Sequence, residues 1–302
     1  MLFDNFVKDL PDVPSFNCFR LKDINPLGLT EKTRFIQAPN ESMRILHDRL
    51  IKYLRKLRVE FPFATGARPK DSPVKNVMLH RKNRYFYLTD IEDAYSGVNG
   101  EKLASILCSL DLRLAGQEKE VLNFLQKYCL TPQGGLITGA PVSPDLFNIY
   151  TGISLDRLLE GLCRTFSLTY TRYLDDLIFS SAKVSIGKRK RRAIRKLIGV
   201  SGFKVSHRKS RVYDLKKGPI TINGVGLELG GRIFLPRHFL KKIRGLLHRA
   251  MAKGDVNPSV INGMMGVFCD LTDKRNLNRT EQQILKQYRA YRAWLKWGIK
   301  PN

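Results

Sequence analysis

Residues 168–181 read Leu168-Thr-Tyr-Thr-Arg-Tyr-Leu-Asp-Asp-Leu-Ile-Phe-Ser-Ser181, with Asp175 and Asp176 adjacent between two short runs rich in β-branched and aromatic residues. The pattern predicts strand, acidic turn, strand. Two like charges at a tight turn repel, and a divalent cation relieves that cost, because carboxylate oxygens are hard ligands suited to Mg²⁺. An adjacent Asp pair alone is more often a solvated turn, so the rest of the chain has to decide.

Two further segments bear on it. In Arg84-Tyr-Phe-Tyr-Leu-Thr-Asp-Ile-Glu-Asp-Ala-Tyr95 an aromatic and aliphatic strand runs into Asp90, with Tyr95 just beyond. Leu136-Ile-Thr-Gly-Ala-Pro-Val-Ser-Pro144 then opens a helical pattern through Leu146, Phe147, Tyr150 and Leu155, with Ser143 as the expected N-cap and Pro144 at the first helical position. Asp90, the Gly-Ala-Pro-x-Ser-Pro turn and Tyr173-Leu-Asp-Asp176 fall in the order of three motifs that build the palm of reverse transcriptases. The chain resembles that family, specifically its small bacterial members of the retron and defence-associated type.

Other segments extend the likeness. Lys32-Thr-Arg-Phe-Ile-Gln-Ala-Pro39 resembles a fingers motif, Asn76-Val-Met-Leu-His80 a pattern typical of retron enzymes, Gly202-Phe-Lys-Val-Ser-His-Arg-Lys-Ser210 the segment after the catalytic hairpin, and Pro236-Arg237 the start of a thumb. The chain departs from the family at two places. Ile137-Thr138-Gly139 stands where Pro-Gln-Gly is usual, and Ile222-Asn223-Gly224 where many retron enzymes have Val-Thr-Gly.

The resemblance implies an α+β right-hand polymerase: fingers over residues 1–80 with part of 98–133, an RRM-like antiparallel palm sheet with helices over 81–230, and a helical thumb over 231–302. It implies an RNA-directed DNA polymerase copying a noncoding RNA template into DNA from dNTPs, used in anti-phage defence with an effector protein. Asp90, Asp175 and Asp176 would hold two Mg²⁺ ions for in-line phosphoryl transfer. Lys32 and Arg34 would clamp the triphosphate. Tyr95 would be the sugar gate that rejects a 2′-hydroxyl. Thr138, Gly139 and Tyr173 would line the nucleotide site, Gly139 by letting the template–nucleotide pair approach the backbone. Lys209 would protonate pyrophosphate or contact phosphate. Asn76 and His80 would order the palm entrance, contact RNA, or be structural. The alternatives are a defence-type polymerase working without template or primer, and a non-catalytic nucleic-acid scaffold on the same fold.

Composition agrees with a polyanionic partner: 53 Lys and Arg less 27 Asp and Glu give a net charge of +26, an excess that repels itself in a compact fold. The five cysteines are scattered without Cys-x-x-Cys spacing, which argues against structural zinc or a disulfide framework and for reduced thiols in a cytosolic interior. No apolar run approaches the roughly 20 residues of a membrane span. The N-terminal residues lack the basic-then-apolar pattern of a signal peptide, so the expected location is cytoplasmic, with no membrane partner.

Helical periodicity predicts a helix near Ser42–Leu57 with an apolar face of Met43, Leu46, Leu50 and Tyr53 or Leu54. A second should follow Pro236 through Leu240, Ile243, Leu247 and Ala250 to a stop at Gly254, with Lys241, Lys242, Arg244 and Arg249 around the stripe. A last one should open with a Thr280–Gln283 capping box and carry Ile284, Tyr288, Tyr291 and Leu295. The cluster Lys188-Arg-Lys-Arg-Arg192 reads either as a solvated helix face or as a phosphate contact.

Overall fold

In the computed structural model, residues 10–24, 31–57, 59, 61–272 and 277–297 are described. By its contacts the chain divides into two compact units, 1–71 with 86–212, and 72–85 with 213–302.

The first unit opens with a hairpin of β1 (Phe16–Ile24) and β2 (Glu31–Pro39), paired antiparallel from Phe16↔Pro39 to Ile24↔Glu31. Helix α1 (Glu41–Lys56) follows. Its N-cap is Asn40, whose side chain accepts from the Met43 amide, and its buried face is Met43, Leu46, Leu50, Tyr53 and Leu54, as the periodicity predicts. Arg55 of α1 grips Asp145 with two hydrogen bonds of 3.1 Å each.

The sheet of this unit contains β3 (Tyr85–Glu92), β4 (Thr169–Tyr173), β5 (Asp176–Ser181), β6 (Lys204–Val205) and β7 (Arg211–Asp214), in the order β4-β5-β3-β6 with β7 also paired to β3. The aromatic and aliphatic residues of 168–181 therefore form an antiparallel hairpin, Thr169↔Ser180 to Tyr173↔Asp176. Rings from three strands stack across it: Tyr170 on Phe179 at 5.0 Å and Phe179 on Tyr87 at 5.9 Å between centroids. Burying each such side chain stabilises by about 1.5–3 kcal/mol.

Helices α3 (Gly100–Leu110), α4 (Glu118–Tyr128), α5 (Ser143–Thr151), α6 (Arg157–Thr165) and α7 (Lys188–Val200) complete this unit; the 73–80 helix of the other unit takes the label α2. Leu103, Val121, Leu146, Phe147, Leu159, Leu177, Ile194 and Ile198 are fully enclosed. Between α5 and α6 the backbone widens into a π-helical stretch, Gly152–Asp156. Ser143 is not the N-cap: its hydroxyl donates to the Ile137 carbonyl at 2.6 Å, tying the helix start to the preceding turn. On α7 only Ile194 and Ile198 are buried, so most of its basic run faces outward.

The second unit contains α2 (Pro73–His80), a three-stranded sheet of β8 (Ile220–Ile222), β9 (Val225–Leu227) and β10 (Ile233–Phe234), and helices α8 (Arg237–Lys253), α9 (Pro258–Leu271) and α10 (Arg279–Trp297). By contacts, residues 72–85 group with 213–302. A two-pronged ion pair contributes to that grouping, Arg84 to Asp214 at 2.6 Å on each prong, as does the Leu215 amide on the Arg84 carbonyl at 3.0 Å.

Asn223-Gly224 is the turn of the β8–β9 hairpin, both residues at positive φ, as an Asn-Gly type I′ turn requires. Leu240, Ile243, Leu247 and Ala250 of α8 are buried with Met265, Phe268, Ile284 and Tyr291, and Gly254 ends α8 in the left-handed region. The capping box of α10 is Asn278–Glu281, two residues before the expected pair: Asn278 Oδ1 accepts from the Glu281 amide, and Glu281 accepts from the Asn278 amide. Its face is also narrower than expected, with Leu295 exposed.

All five cysteines are free thiols: 108, 129 and 163 are buried, Cys269 is half-buried and Cys18 is exposed. Among the described residues no helix is long and apolar enough to cross a membrane.

Candidate active site

Asp90 sits near the end of β3, and Asp175 and Asp176 sit at the tip of the β4–β5 hairpin. The Ile91 amide donates to the Asp175 carbonyl at 3.0 Å, which joins the tip to the strand that carries Asp90. Burial raises the pKa of Asp175, and the charge of Asp90 adds to it. Asp176 is raised likewise, by burial and then by the charges of Asp175 and Asp90. The charge of Asp90 thus bears on both aspartates of the hairpin tip.

Lys209 completes the group. Its ammonium lies 2.7 Å from Asp90 Oδ2. Its loop is pinned to β3 by the Ser206 amide on the Asp90 carbonyl at 2.8 Å and by the Thr89–Ser210 hydroxyl pair at 2.7 Å. Burial alone would lower the lysine's pKa, but the hydrogen bond to Asp90 and the acidic surroundings hold it above its usual value.

Among the described residues no group of three or more His, Cys, Asp or Glu side chains is arranged to hold a metal ion. The donor chemistry nevertheless suits Mg²⁺. Hard carboxylate oxygens from two strands repel one another here, and the cation that now relieves Asp90 is the ammonium of Lys209.

Leu174, inside the hairpin tip, has φ +55°, a left-handed conformation that costs a non-glycine residue about 1–2 kcal/mol. Two devices fit around it. Gly66 passes so close beneath the tip that a Cβ there would meet the Leu174 nitrogen and the Tyr173 ring at 3.2 Å. Arg172, with no exposed side-chain surface, donates to the Leu174 carbonyl at 3.1 Å while paired to Asp156 at 2.8 Å. Sequence reading singled out neither Arg172 nor its partners Asp156 and Asn148.

Tyr95 is half-buried, edge-on to Phe147 with centroids 5.5 Å apart. Burial, then the charge of Asp175, raises its hydroxyl's pKa. Its carbonyl is held by the Leu136 amide at 2.9 Å, so the turn before α5 supports it. Thr138 presents its carbonyl to the Gln37 amide at 2.8 Å. Gly139, at φ +104°, lies against β2: a Cβ there would come within 2.6 Å of Ile36 Cγ2. Within the chain, the close approach this glycine permits is thus to β2. Tyr173 is half-buried at the tip. Arg34 is exposed on β2, and Lys32 lies on the same strand with its side chain outside the described residues. Asn76 and His80 are fully buried in the other unit. Burial lowers the His80 pKa to about 3, so the ring is neutral and has no surface to offer RNA.

The three aspartates of this antiparallel sheet, with the lysine beside Asp90, form the candidate site, and the comparisons give the family. The chain belongs to the reverse transcriptase (RNA-dependent DNA polymerase) family, whose sequence model matches residues 22–227, and its curated relatives are of the bacterial retron type. The retron Mx65 reverse transcriptase of Myxococcus xanthus is 27% identical over 235 residues, 74% of this chain and 54% of the relative. The retron Ec86 reverse transcriptase of Escherichia coli is 25% identical over 279 residues, 90% of this chain and 82% of that one. The chain thus spans about half the length of the Mx65 relative. Among solved structures, telomerase from Candida albicans with a fragment of telomeric RNA superposes with a TM-score of 0.56 at 11% identity, over 95% of this chain and 57% of that one. Apo telomerase from Candida tropicalis gives 0.53 at 11% identity, over 96% and 60%. These likenesses establish the fold.

Proposed function

We propose that the chain is an RNA-directed DNA polymerase that copies a noncoding RNA into DNA. The observation that carries this reading is the meeting of Asp90 with Asp175 and Asp176 across two strands of one sheet, joined by the Ile91–Asp175 hydrogen bond. Asp90, Asp175 and Asp176 would hold two Mg²⁺ ions, which when bound supply charge neutralisation at the attacking and leaving oxygens.

The chain's own groups do the rest. Lys209, protonated and beside Asp90, is placed to give a proton to the departing pyrophosphate. Arg34 and Lys32 hold the triphosphate, the guanidinium by its fixed fork of donors. Tyr95, braced by Phe147, excludes the 2′-hydroxyl by volume, so deoxynucleotides are selected. Relatives that are retron reverse transcriptases support a bacterial setting, and on the resemblance to defence-associated enzymes we read its use as anti-phage defence with an effector protein.

The test is incorporation of labelled dNTP by the purified protein with its co-purifying RNA and Mg²⁺. Wild type should extend and Asp175→Asn should not, with RNA affinity nearly unchanged, since one carboxylate hardly alters the field of 53 basic residues. Normal synthesis by Asp175→Asn would overturn the metal assignment. RNA binding with no synthesis by wild type would point to a scaffold. DNA product unrelated to the bound RNA would point to template-independent synthesis.

A further inference from the structure

The hairpin that carries Asp175 and Asp176 depends on a residue that no comparison singles out. We propose that Arg172 is a positioning residue for the catalytic turn, holding the Leu174 carbonyl so that the left-handed backbone at Leu174 presents both aspartates. This inference rests on the polymerase reading.

The side chain is fully enclosed, and each of its nitrogens is used. Nε donates to both oxygens of Asp156 at 3.0 and 3.2 Å, and Nη2 to Asp156 Oδ2 at 2.8 Å. Nη1 is shared between Asn148 Oδ1 at 2.8 Å and the Leu174 carbonyl at 3.1 Å. The guanidinium therefore bridges the helical layer to the turn. A lysine ammonium, a point charge on a flexible stem, cannot span both ends.

The surroundings fix the guanidinium in turn. Tyr170 donates to Asp156 at 2.8 Å, and Asn148 donates to the Gly66 carbonyl at 3.0 Å, beneath the same turn. Residues eight apart on a regular α-helix lie roughly 80° out of line, so Asn148 and Asp156 would not ordinarily face one side chain. The π-helical stretch Gly152–Asp156 takes more residues per turn and turns Asp156 back towards Arg172. A buried ion pair is weak evidence for stability as such. A pair that is bonded to the turn bearing the catalytic acids, through a distorted helix, points to geometry as its use. The guanidinium also lies over the Phe147 ring at 5.6 Å, the ring that braces Tyr95.

Amide exchange and turnover, measured together on the full chain, test the assignment. In Arg172→Lys, the Ile91 amide, which donates to Asp175, should exchange about tenfold faster, because the turn opens locally. The Thr65 amide, which donates to the Arg172 carbonyl, should change by less than about threefold, because that pairing does not involve the guanidinium. Single-turnover incorporation should fall about a hundredfold with dNTP KM and primer–template affinity within about threefold, as expected for a misplaced catalytic group.

Leu174→Asn, which adopts positive φ more readily, should return about tenfold of that loss in the Arg172→Lys background. Equal loosening at Ile91 and Thr65, or no recovery with Leu174→Asn, would reduce Arg172 to a core ion pair and overturn the proposal. Should Arg172→Lys fail to fold, Asn148→Ala keeps the Arg172–Asp156 pair and is judged by the same exchange and turnover readouts. The exchange comparison does not depend on activity. A wild-type protein without synthesis would defeat the polymerase reading while Ile91 against Thr65 still decided the role of Arg172.

Discussion

Lys209 places its ammonium 2.7 Å from Asp90 Oδ2, although about half of the lysine side chain is open to solvent and the aspartate is almost wholly enclosed. The ion pair therefore ties a movable cation to a fixed carboxylate. On the proposed metal assignment Mg²⁺ would compete with that ammonium for Asp90, and the displaced lysine would be free to reach phosphate.

This competition gives the first prediction. Lys209→Met should bind Mg²⁺ more tightly than wild type by calorimetry, because the competitor is gone. Its single-turnover rate at saturating metal should nevertheless fall by about 10²-fold, the lower range for loss of a general acid. Weaker Mg²⁺ binding in Lys209→Met would mean that the lysine organises the carboxylates instead of competing for them.

The second concerns Tyr95. Its ring stands edge-on to Phe147, and its backbone is fixed by Leu136, so its bulk is held in place. Tyr95→Ala should admit ribonucleotides more readily, whereas Tyr95→Phe should keep discrimination, since the proposed gate works by volume and not through the hydroxyl. Unchanged dNTP-over-rNTP selectivity in Tyr95→Ala would place the gate elsewhere.

What was legible in the sequence and what was not follows from the range of the forces involved. The β4–β5 hairpin, α1 and α8 are written in local periodicity, so the residues expected to be buried on them are buried. Cap positions shift where two patterns overlap: Asn278–Glu281 and Thr280–Gln283 both fit a capping box, and the reciprocal hydrogen bonds form at the earlier. Ser143 looked like an N-cap, but its hydroxyl was claimed by Ile137. Asn223-Gly224 is a local hairpin signal, because an Asn-Gly pair between two apolar runs suits a type I′ turn. Arg172 left no local signal at all. Its partners Asn148 and Asp156 meet it only through the tertiary fold, and a π-helical turn has no simple sequence pattern.

A third prediction concerns acid stability in the C-terminal unit. Two hydrogen bonds from Arg84 hold the Asp214 carboxyl at about 2, below the roughly 4 of an unfolded aspartate. A depressed folded pKa contributes stability above the unfolded value and loses it as pH falls through the folded one. The contribution should therefore disappear between about pH 4 and pH 2. Melting curves of Asp214→Asn should lie below wild type at neutral pH and converge towards it over that window. A constant gap across the window would mean that Arg84–Asp214 does not control the acid limb.

The last prediction concerns the basic face of α8. Lys241, Lys242 and Arg244 are exposed beside and behind the buried stripe of Leu240, Ile243 and Leu247, whereas Arg249 is drawn to Asp255 at 2.7 Å. We expect the free part of this face to follow the phosphate backbone of a duplex, with Arg249 contributing less because its charge is already matched. Each phosphate neutralised releases counterions, at roughly 0.9 in the log–log salt slope for B-DNA. Lys241→Gln with Lys242→Gln should therefore make the slope shallower by about 1–2, and Arg249→Gln should change it by less. Sequence preference should not move, because phosphate contacts position a duplex without reading it. An unaltered slope in the double variant would mean that this face of α8 meets solvent or another protein rather than nucleic acid.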